Sequence, residues 1–275
     1  MSTVEEEETD VLESLFGREE DTVDEQIIIK YDEYHRIFGQ FEGKDRSQPE
    51  VLQLALVKKH HSLWAEFVYN AARVVSDKID QSIITCSGRT CLELGAGAGL
   101  PGLLASLNGA TVSVISDYGT EADKSLLRAI ELNIASVVEV VKSSHGNELV
   151  MACVPYVWGN CVDPLILPLQ HLGSSRKFDV IILADLIFNR SEHRKLLWTV
   201  QQCLEPNDGI AWVSFSHHDP HKKHLDLNFF TLAVEEFGLI VESVCEESRK
   251  AYPFVEEDGR DDARGMVYLY TLRLP

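Results

Sequence analysis

Basic residues are scarce in this chain. Its 275 residues include 25 lysines and arginines against 44 aspartates and glutamates, which gives a formal net charge of −19. Phosphate groups are bound by clustered positive charge, so direct binding of nucleic acid is not expected. The acid excess is greatest in residues 1–25. We expect this segment to be a disordered acidic tail, which either keeps the protein soluble or attracts a basic substrate.

Long hydrophobic runs and cysteine pairs are also missing. No apolar stretch approaches the roughly 18 residues that a membrane span needs, and the N-terminus has neither the basic nor the apolar region of a secretory signal. The six cysteines include no C-x-x-C pair, so no disulfide framework is predicted. We expect a cytoplasmic protein that has no membrane contact and acts as a monomer.

Several catalytic motifs are absent as well. Without a G-x-S-x-G element, an H-E-x-x-H helix or a Walker loop, hydrolase and NTPase functions have no support. Histidines 217, 221 and 224 have a spacing that suits a metal on a helix, but Pro220 would interrupt that helix. We therefore predict no metal site. The histidine-rich loop is either a lip of an active site or simply polar.

The element around which the chain is organised is a glycine-rich turn after a short apolar strand at 91–94. Glycines here let the backbone turn sharply and approach a ligand closely. Pro101 follows, where a helix would begin. Strand, turn and helix together predict a pocket of the nucleotide-binding type. The glycines stand at alternate positions: Gly95, Gly97 and Gly99.

Two interpretations of this turn compete. One is a dinucleotide fingerprint, G-x-G-x-x-G, over 97–102 with Asp117 twenty residues beyond its first glycine. The other is E-x-G-x-G-x-G beginning at Glu93, which resembles motif I of the seven-strand methyltransferases that use S-adenosylmethionine (SAM). Only the second pattern has its first glycine directly after the strand.

From residue 90 onward, strand and helix patterns alternate. The first five strands are mostly continuous apolar runs, as in parallel strands covered on both faces. The last is reached through a polar loop instead of a helix, which predicts an antiparallel neighbour. We predict an α/β fold with a Rossmann-like seven-strand sheet, mostly parallel with an antiparallel last strand, and helices on both faces. The strands are predicted at 91–94, 112–116, 152–158, 178–184, 210–216, 239–245 and 266–273, and the helices at 100–108, 121–137, 191–204 and 224–237.

The domain organisation follows from these patterns. Residues 26–275 are predicted to form one domain after the tail. Within it, residues 26–60 form an accessory hairpin or cap, and 61–75 an amphipathic helix that enters the core.

Ligands of open α/β sheets bind beyond the carboxyl ends of the strands, so the residues there are the candidates for binding a ligand. Asp117, after the second strand, could accept both ribose hydroxyls of a nucleoside or could be a turn aspartate. Trp158, after the third, could stack on an adenine or pack in the core. Asp185 and Asn189 flank an aromatic residue after the fourth, which is a plausible pocket for an amine. Ser191 is predicted to cap the next helix.

Several segments occur in an order that suggests a family: Ser62–Trp64 with Asn70 and Ala71, 92–97, Asp117 with Tyr118, 157–159 and 184–193. Together they resemble the protein lysine methyltransferases of family 16, over about residues 26–275. The Asp-Leu-Ile-Phe-Asn run combined with the Trp-Gly step is the most specific part. The same run, with the Ser-Glu-His that follows it, is most similar to the members that methylate the N-terminal amine and a lysine of translation elongation factor 1-alpha.

This resemblance implies the residue roles. Asp185, Phe188 and Asn189 would face the target amine and act as the catalytic group. One departure from the family pattern is Gly119, where a proline is expected. The stretch 140–148 has no counterpart that we can place. The residues that would contact SAM are Trp64, Glu93, Gly95, Ala96, Gly97, Asp117, Tyr118, Trp158 and Ala184.

The chemistry implied is an in-line displacement, in which a neutral amine attacks the methyl group of SAM. The protein would mainly align the reactants and exclude water. Asp185 could attract and orient the amine, and Phe188 could offer an aromatic face to the growing cation. Two alternatives remain open on the residues: a nicotinamide-dependent oxidoreductase, and a catalytically inactive methyltransferase-like binding module.

Overall fold

The computed structural model describes residues 29–37, 48–57, 66–120, 123–143, 149–173, 177–250 and 265–275. The acidic tail therefore lies outside the described residues, and the predicted division into a tail and a single domain stays a prediction. Among the residues described, no helix combines the length and the apolar character needed to cross a membrane.

A seven-stranded sheet forms the centre of the molecule. Its strands are β3 (Thr90–Leu94), β4 (Val112–Asp117), β5 (Met151–Pro155), β6 (Val180–Ala184), β7 (Ile210–Phe215), β8 (Ile240–Ser248) and β9 (Met266–Arg273). Their order in the sheet is β5-β4-β3-β6-β7-β9-β8, with β3 to β7 parallel and β9 antiparallel to both of its neighbours. The predicted antiparallel last strand is thus confirmed.

Apolar side chains pack on both faces of this sheet. Leu92 and Ile181 belong to one buried cluster, whereas their neighbours Cys91 and Ile182 belong to the other. Successive strand residues point to opposite faces, and the central strand β3 is buried along its whole length. This double burial explains the continuous apolar runs. The helices are α1 (Asn70–Asp80), α2 (Leu100–Leu107), α3 (Ser125–Ser143), α4 (Asp163–Ile166), α5 (His193–Cys203) and α6 (Lys223–Glu235).

The segment before α1 contains an antiparallel hairpin of β1 (Ile29–His35) and β2 (Val51–Val57). The amide of Asn133 on α3 connects this hairpin to the glycine turn: it accepts from the Ala55 N–H at 2.6 Å and donates to the carbonyls of Ala55 and Ala98 at 3.0 and 2.9 Å. The hairpin is therefore tied to the turn through one buried side chain.

Ion pairs attach the same hairpin to α1. Arg36 lies beyond β1 and pairs with Asp80 at 2.8 Å, and neither side chain is accessible to solvent. Tyr34 donates a hydrogen bond of 2.7 Å to Asp77, which also pairs with Arg249 beyond β8. These contacts join β1 and the residues after it, α1, and the segment after β8, which are far apart in the sequence.

Several predicted boundaries were wrong. Helix α1 begins at Asn70, so residues 66–69 of the predicted helix 61–75 are not helical, and 61–65 lie outside the described residues. Strand β5 ends at Pro155 and leaves Trp158 in a turn. Helix α4 and the 3₁₀ turn at Leu167–Leu172 were not predicted. Ser191 is not a cap, because α5 begins at His193 after a 3₁₀ turn.

Candidate active site

A cavity of about 700 Å³ opens at the carboxyl ends of the parallel strands. Its walls come from the loops after β3, β4, β5 and β6 and from the segment before α1. Trp64 lies outside the described residues, so its predicted role stays untested. The other predicted site residues all line the cavity: Glu93, Gly95, Ala96, Gly97, Asp117, Tyr118, Trp158, Ala184, Asp185, Phe188 and Asn189.

The glycine turn forms one wall and requires glycine for two different reasons. Gly95 and Gly97 both have positive φ, +60° and +56°, a region that side chains disfavour. A Cβ on Gly95 would also lie 2.6 Å from Leu186 and 3.0 Å from Trp158, whereas a Cβ on Gly97 would meet nothing within 4 Å. The space beside Gly97 belongs to the cavity, where a ligand can approach the backbone.

Glu93 at the end of β3 is buried and supports the turn from behind. Its Oε2 accepts a hydrogen bond of 2.7 Å from the N–H of Gly102 in the first turn of α2. A Cβ on Gly102 would approach this oxygen to 2.8 Å. Burial raises the pKa of Glu93 to about 8, against the lowering effect of the Gly102 hydrogen bond. The contact gives Glu93 a positioning role beside its predicted contact with the ligand.

Asp117 ends β4 and faces the same turn. Its Oδ2 accepts from the Gly97 N–H and its Oδ1 from the Tyr118 N–H, both at 2.6 Å. Asp117 therefore does organise a turn, which was one of the two alternatives for it. A carboxylate offers about four lone-pair sites, so these two bonds leave capacity for hydroxyl donors in the cavity.

Trp158 forms the wall after β5, together with Val157 and Tyr156. It packs against the core cluster, and the Tyr156 hydroxyl donates to the Asn160 carbonyl at 2.7 Å. Gly159 has φ +83°, and a Cβ there would touch the Lys195 side chain at 3.0 Å. The turn thus holds a broad aromatic ring at the rim of the cavity.

Asp185 follows β6 and lines the same cavity, in a backbone conformation unusual for a residue with a side chain. Its φ is +61°. Its N–H donates to the Ser214 carbonyl at 2.8 Å, and its Oδ1 accepts from the Ser216 N–H at 3.4 Å. Oδ2 lies 3.0 Å from His218 Nε2. Contacts with the end of β7 and with the loop after it therefore hold Asp185 in place. Backbone outliers of this kind concentrate at functional sites.

Aromatic rings surround this carboxylate. The His218 ring stacks on Phe188 with centroids 4.7 Å apart and planes at 15°, and on Tyr69 at 6.1 Å and 24°. Burial and the nearby Asp185 charge raise the pKa of Tyr69 well above its usual range. The hydroxyl of Tyr69 is therefore neutral at physiological pH, where it can donate a hydrogen bond.

The histidine-rich loop after β7 is fixed by a second acid. Asp226 is buried; its Oδ2 lies 2.9 Å from His217 Nδ1, and its Oδ1 accepts from Arg190 Nε at 2.9 Å. Arg190 directly follows Asn189, so Asp226 links the segment after β6 to the loop after β7. Across the described part of the chain, no three His, Cys, Asp or Glu side chains are grouped to hold a metal.

Sequence reasoning did not identify Tyr69, His218 or Asp226. Tyr69 was missed because it falls within the predicted helix 61–75, whereas the observed helix begins one residue after it. The loop with His218 was identified only as a possible lip, since nothing in the sequence pairs it with Asp185. Asp226 lies in a helix and has no local motif.

Comparisons with known proteins agree with this geometry. A family model described as lysine methyltransferase matches residues 50–236. The chain is 36% identical to the Protein N-terminal and lysine N-methyltransferase EFM7 of Candida glabrata, over 94% of each chain. It is 33% identical to the efm7 protein of the same description from Schizosaccharomyces pombe, over 82% of this chain and 84% of that one.

Solved structures share the fold. A protein assigned as a methyltransferase and complexed with SAH superposes with a TM-score of 0.53 at 12% identity, over 85% of this chain and 58% of that one. A Streptococcus mutans protein assigned as a SAM-dependent methyltransferase gives 0.51 at 12% identity, over 80% and 53%. The chain thus spans a little over half of those longer proteins. The family match, together with the fold, favours the methyltransferase interpretation of the glycine turn over the dinucleotide one.

Proposed function

The chain belongs to the lysine methyltransferase family and uses SAM as methyl donor, and we propose that it methylates the N-terminal α-amine of translation elongation factor 1-alpha, a nearby lysine, or both. One observation carries the proposal: a single cavity is lined by the glycine turn and Asp117 and also by Asp185, Phe188 and Asn189. The names of the relatives, which give protein N-terminal and lysine N-methylation, support this choice of target groups.

The residues present fit SAM. The open space beside Gly97 admits a ligand against the backbone, and the Asp117 carboxylate faces the same space. A volume of about 700 Å³ lies within the usual range of roughly 300–1,000 Å³ for ligand pockets. We assign Gly95, Ala96 and Gly97 to the amino-acid portion, Asp117 and Tyr118 to the ribose, and Trp158 to the adenine. Glu93, Trp64 and Ala184 are proposed to complete this set.

When bound, SAM supplies an electrophilic methyl group on a sulfonium. The chain's own part is to align the amine and to exclude water, which together remove much of the entropic barrier. Asp185 is proposed to attract the amine and orient its lone pair, with Asn189 as a second polar contact. Phe188 offers a ring to the cation, and cation–π contacts of this kind contribute about 0.5–2 kcal/mol.

The target amine must be neutral before it reacts. A lysine with a pKa of about 10.4 is almost wholly protonated at pH 7, whereas an α-amine at about 7.7–8.0 is partly neutral. An N-terminus can also enter a narrow cavity end-on. The acidity of the enzyme, with a net charge of −19, supports a basic protein partner and no nucleic acid. We further propose a monomer that acts in the cytoplasm.

Two substrate preparations test the target: elongation factor 1-alpha with a free N-terminus, and the same protein acetylated there. Radiolabelled SAM and mass spectrometry would locate the methyl groups. We expect N-terminal methylation of the free form only. Equal labelling of the N-terminal region in both forms would make lysine the sole target. Labelling of other proteins in a cell extract, but not of this factor, would refute the substrate, and no labelling at all would favour an inactive binding module.

A further inference from the structure

His218 occupies a place that the proposed mechanism leaves without a role. Its imidazole stacks on the rings of Tyr69 and Phe188, and its Nε2 is 3.0 Å from Asp185 Oδ2. Only 18% of the side chain is exposed. Both Asp185 and Phe188 line the cavity, and both are proposed above to face the target amine. One side chain therefore contacts the two residues on which the target amine depends.

The contact with Asp185 fixes the direction of its carboxylate. An ionised carboxylate only accepts hydrogen bonds, so the proton of this contact is on His218 Nε2. The other oxygen accepts the longer bond from the Ser216 N–H. Since the left-handed backbone of Asp185 is itself disfavoured, its orientation depends on such contacts from the loop after β7. Of the two, the histidine bond is the shorter.

The contact with Phe188 limits which face of that ring a cation can reach. With centroids at 4.7 Å and nearly parallel planes, the imidazole covers one face of Phe188. A cation that meets this ring must use the opposite face or the edge. Rotation of Phe188 toward the imidazole is blocked in the same way. His218 thus limits the ring to one approach.

We infer that His218 is a positioning residue for methyl transfer, which sets the Asp185 carboxylate and the Phe188 ring against the target amine. The inference rests on the proposed function, because the amine-facing roles of Asp185 and Phe188 come from it. His218 acts through these residues and does not itself touch the methyl donor; it is absent from the cavity wall.

Two substitutions separate the contacts. His218→Phe keeps a flat ring against Tyr69 and Phe188 but cannot donate to Asp185. His218→Gln keeps a donor but removes the stacked ring. His224→Gln is the matched control, because His224 is exposed on the following helix. The measurements are SAM affinity by calorimetry, the thermal midpoint, and kcat and KM with a protein that the wild-type enzyme labels.

We expect His218→Phe to lower kcat about tenfold or more, since small misplacements of reacting groups can cost about 100-fold. His218→Gln should lower kcat less and raise KM. SAM affinity should stay within about threefold for both variants, and His224→Gln should match the wild type. In an Asp185→Asn background, His218→Phe should cause little further loss, because residues that act through one another are not additive.

Wild-type kcat and KM in both variants would overturn the inference. So would a parallel loss of SAM affinity and activity, which would indicate a general structural role, and full additivity with Asp185→Asn. A wrong substrate assignment would give a different result, because the wild-type enzyme would then label an extract protein other than elongation factor 1-alpha. The same comparison of variants would be made on that protein.

Discussion

The carboxylate of Asp117 accepts a hydrogen bond of 2.6 Å from the backbone N–H of Gly97. The end of one strand and the glycine turn of its neighbour are thereby joined at the floor of the cavity. A substitution at Asp117 therefore changes two things at once, the proposed ribose acceptor and the shape of the turn.

We predict that Asp117→Ala weakens SAM binding more than tenfold. Hydrogen bonds to charged groups contribute about 1.5–3 kcal/mol each, and both the ribose contacts and the bond to Gly97 would be lost. Calorimetric titration measures the affinity, and Asp117→Asn is the control that preserves an acceptor. Tight SAM binding by a folded Asp117→Ala variant would show that the ribose assignment is wrong.

Substitutions of the residues proposed to face the amine should separate binding from transfer. Asp185→Ala or Phe188→Ala should retain SAM affinity and lose most methyl transfer, because these side chains follow β6, which β3 separates from the strand of Asp117. Affinity by calorimetry and labelling rates would be compared for each variant. Wild-type transfer rates in either variant would remove that residue from the substrate side.

The buried Glu93 predicts a pH dependence of stability. Its pKa of about 8 in the folded protein exceeds its ordinary 4.5. A raised folded pKa means that the stabilising contribution is complete below about pH 4.5 and is lost as the pH rises through about 8. Glu93→Gln keeps an acceptor for Gly102 but cannot ionise. In urea unfolding, the free energy of unfolding of the variant should rise relative to that of the wild type between about pH 5 and about pH 9. A difference in unfolding free energy that does not change with pH would contradict the raised pKa of Glu93.

Gly95→Ala and Gly97→Ala form a matched pair. Both place a side chain at positive φ, a cost of about 1–2 kcal/mol. Only Gly95→Ala also drives a methyl group against Leu186 and Trp158. We expect it to lower the thermal midpoint further than Gly97→Ala does. Equal midpoints would mean that Leu186 moves aside without cost.

The buried pair of Arg36 and Asp80 should contribute far more than an exposed one. Asp80→Ala leaves a guanidinium group without its carboxylate in the interior, which typically costs about 3–5 kcal/mol. Glu236→Ala breaks the exposed pair with Arg194, and surface pairs contribute about 0–1 kcal/mol. Denaturant unfolding compares the two. Similar losses would show that Arg36 finds another partner or reaches water.

Much of the fold could be predicted because its signals are local. The apolar runs of the parallel strands and the glycines after β3 depend on near neighbours in the sequence, and the predicted strands lie within a few residues of the observed ones. The start of α1 could not be found in this way. Phe67 has helical spacing with Ala71 and Val74, but it lies before the helix and lines the cavity together with Tyr69.

The site could be predicted only where residues follow a strand end. Asp117 and Asp185 were found by this rule. The bond from His218 to Asp185 joins residues 33 apart, and the one from Asp226 to Arg190 joins residues 36 apart. No short motif encodes such pairs, because they arise from the packing of segments that are distant in the sequence.

The position of β9 between β7 and β8 has a consequence for synthesis of the protein. The chain makes β7 and β8 first, yet both hydrogen-bond to β9, which leaves the ribosome after them. Until then the nascent chain carries an open edge on β7, and open edges recruit strands from other chains. Ser214, whose carbonyl accepts from Asp185, belongs to that same strand. The edge of β7 therefore stays unpaired until β9 has been made, so the pairing of β9 is a late and necessary step in closing the sheet.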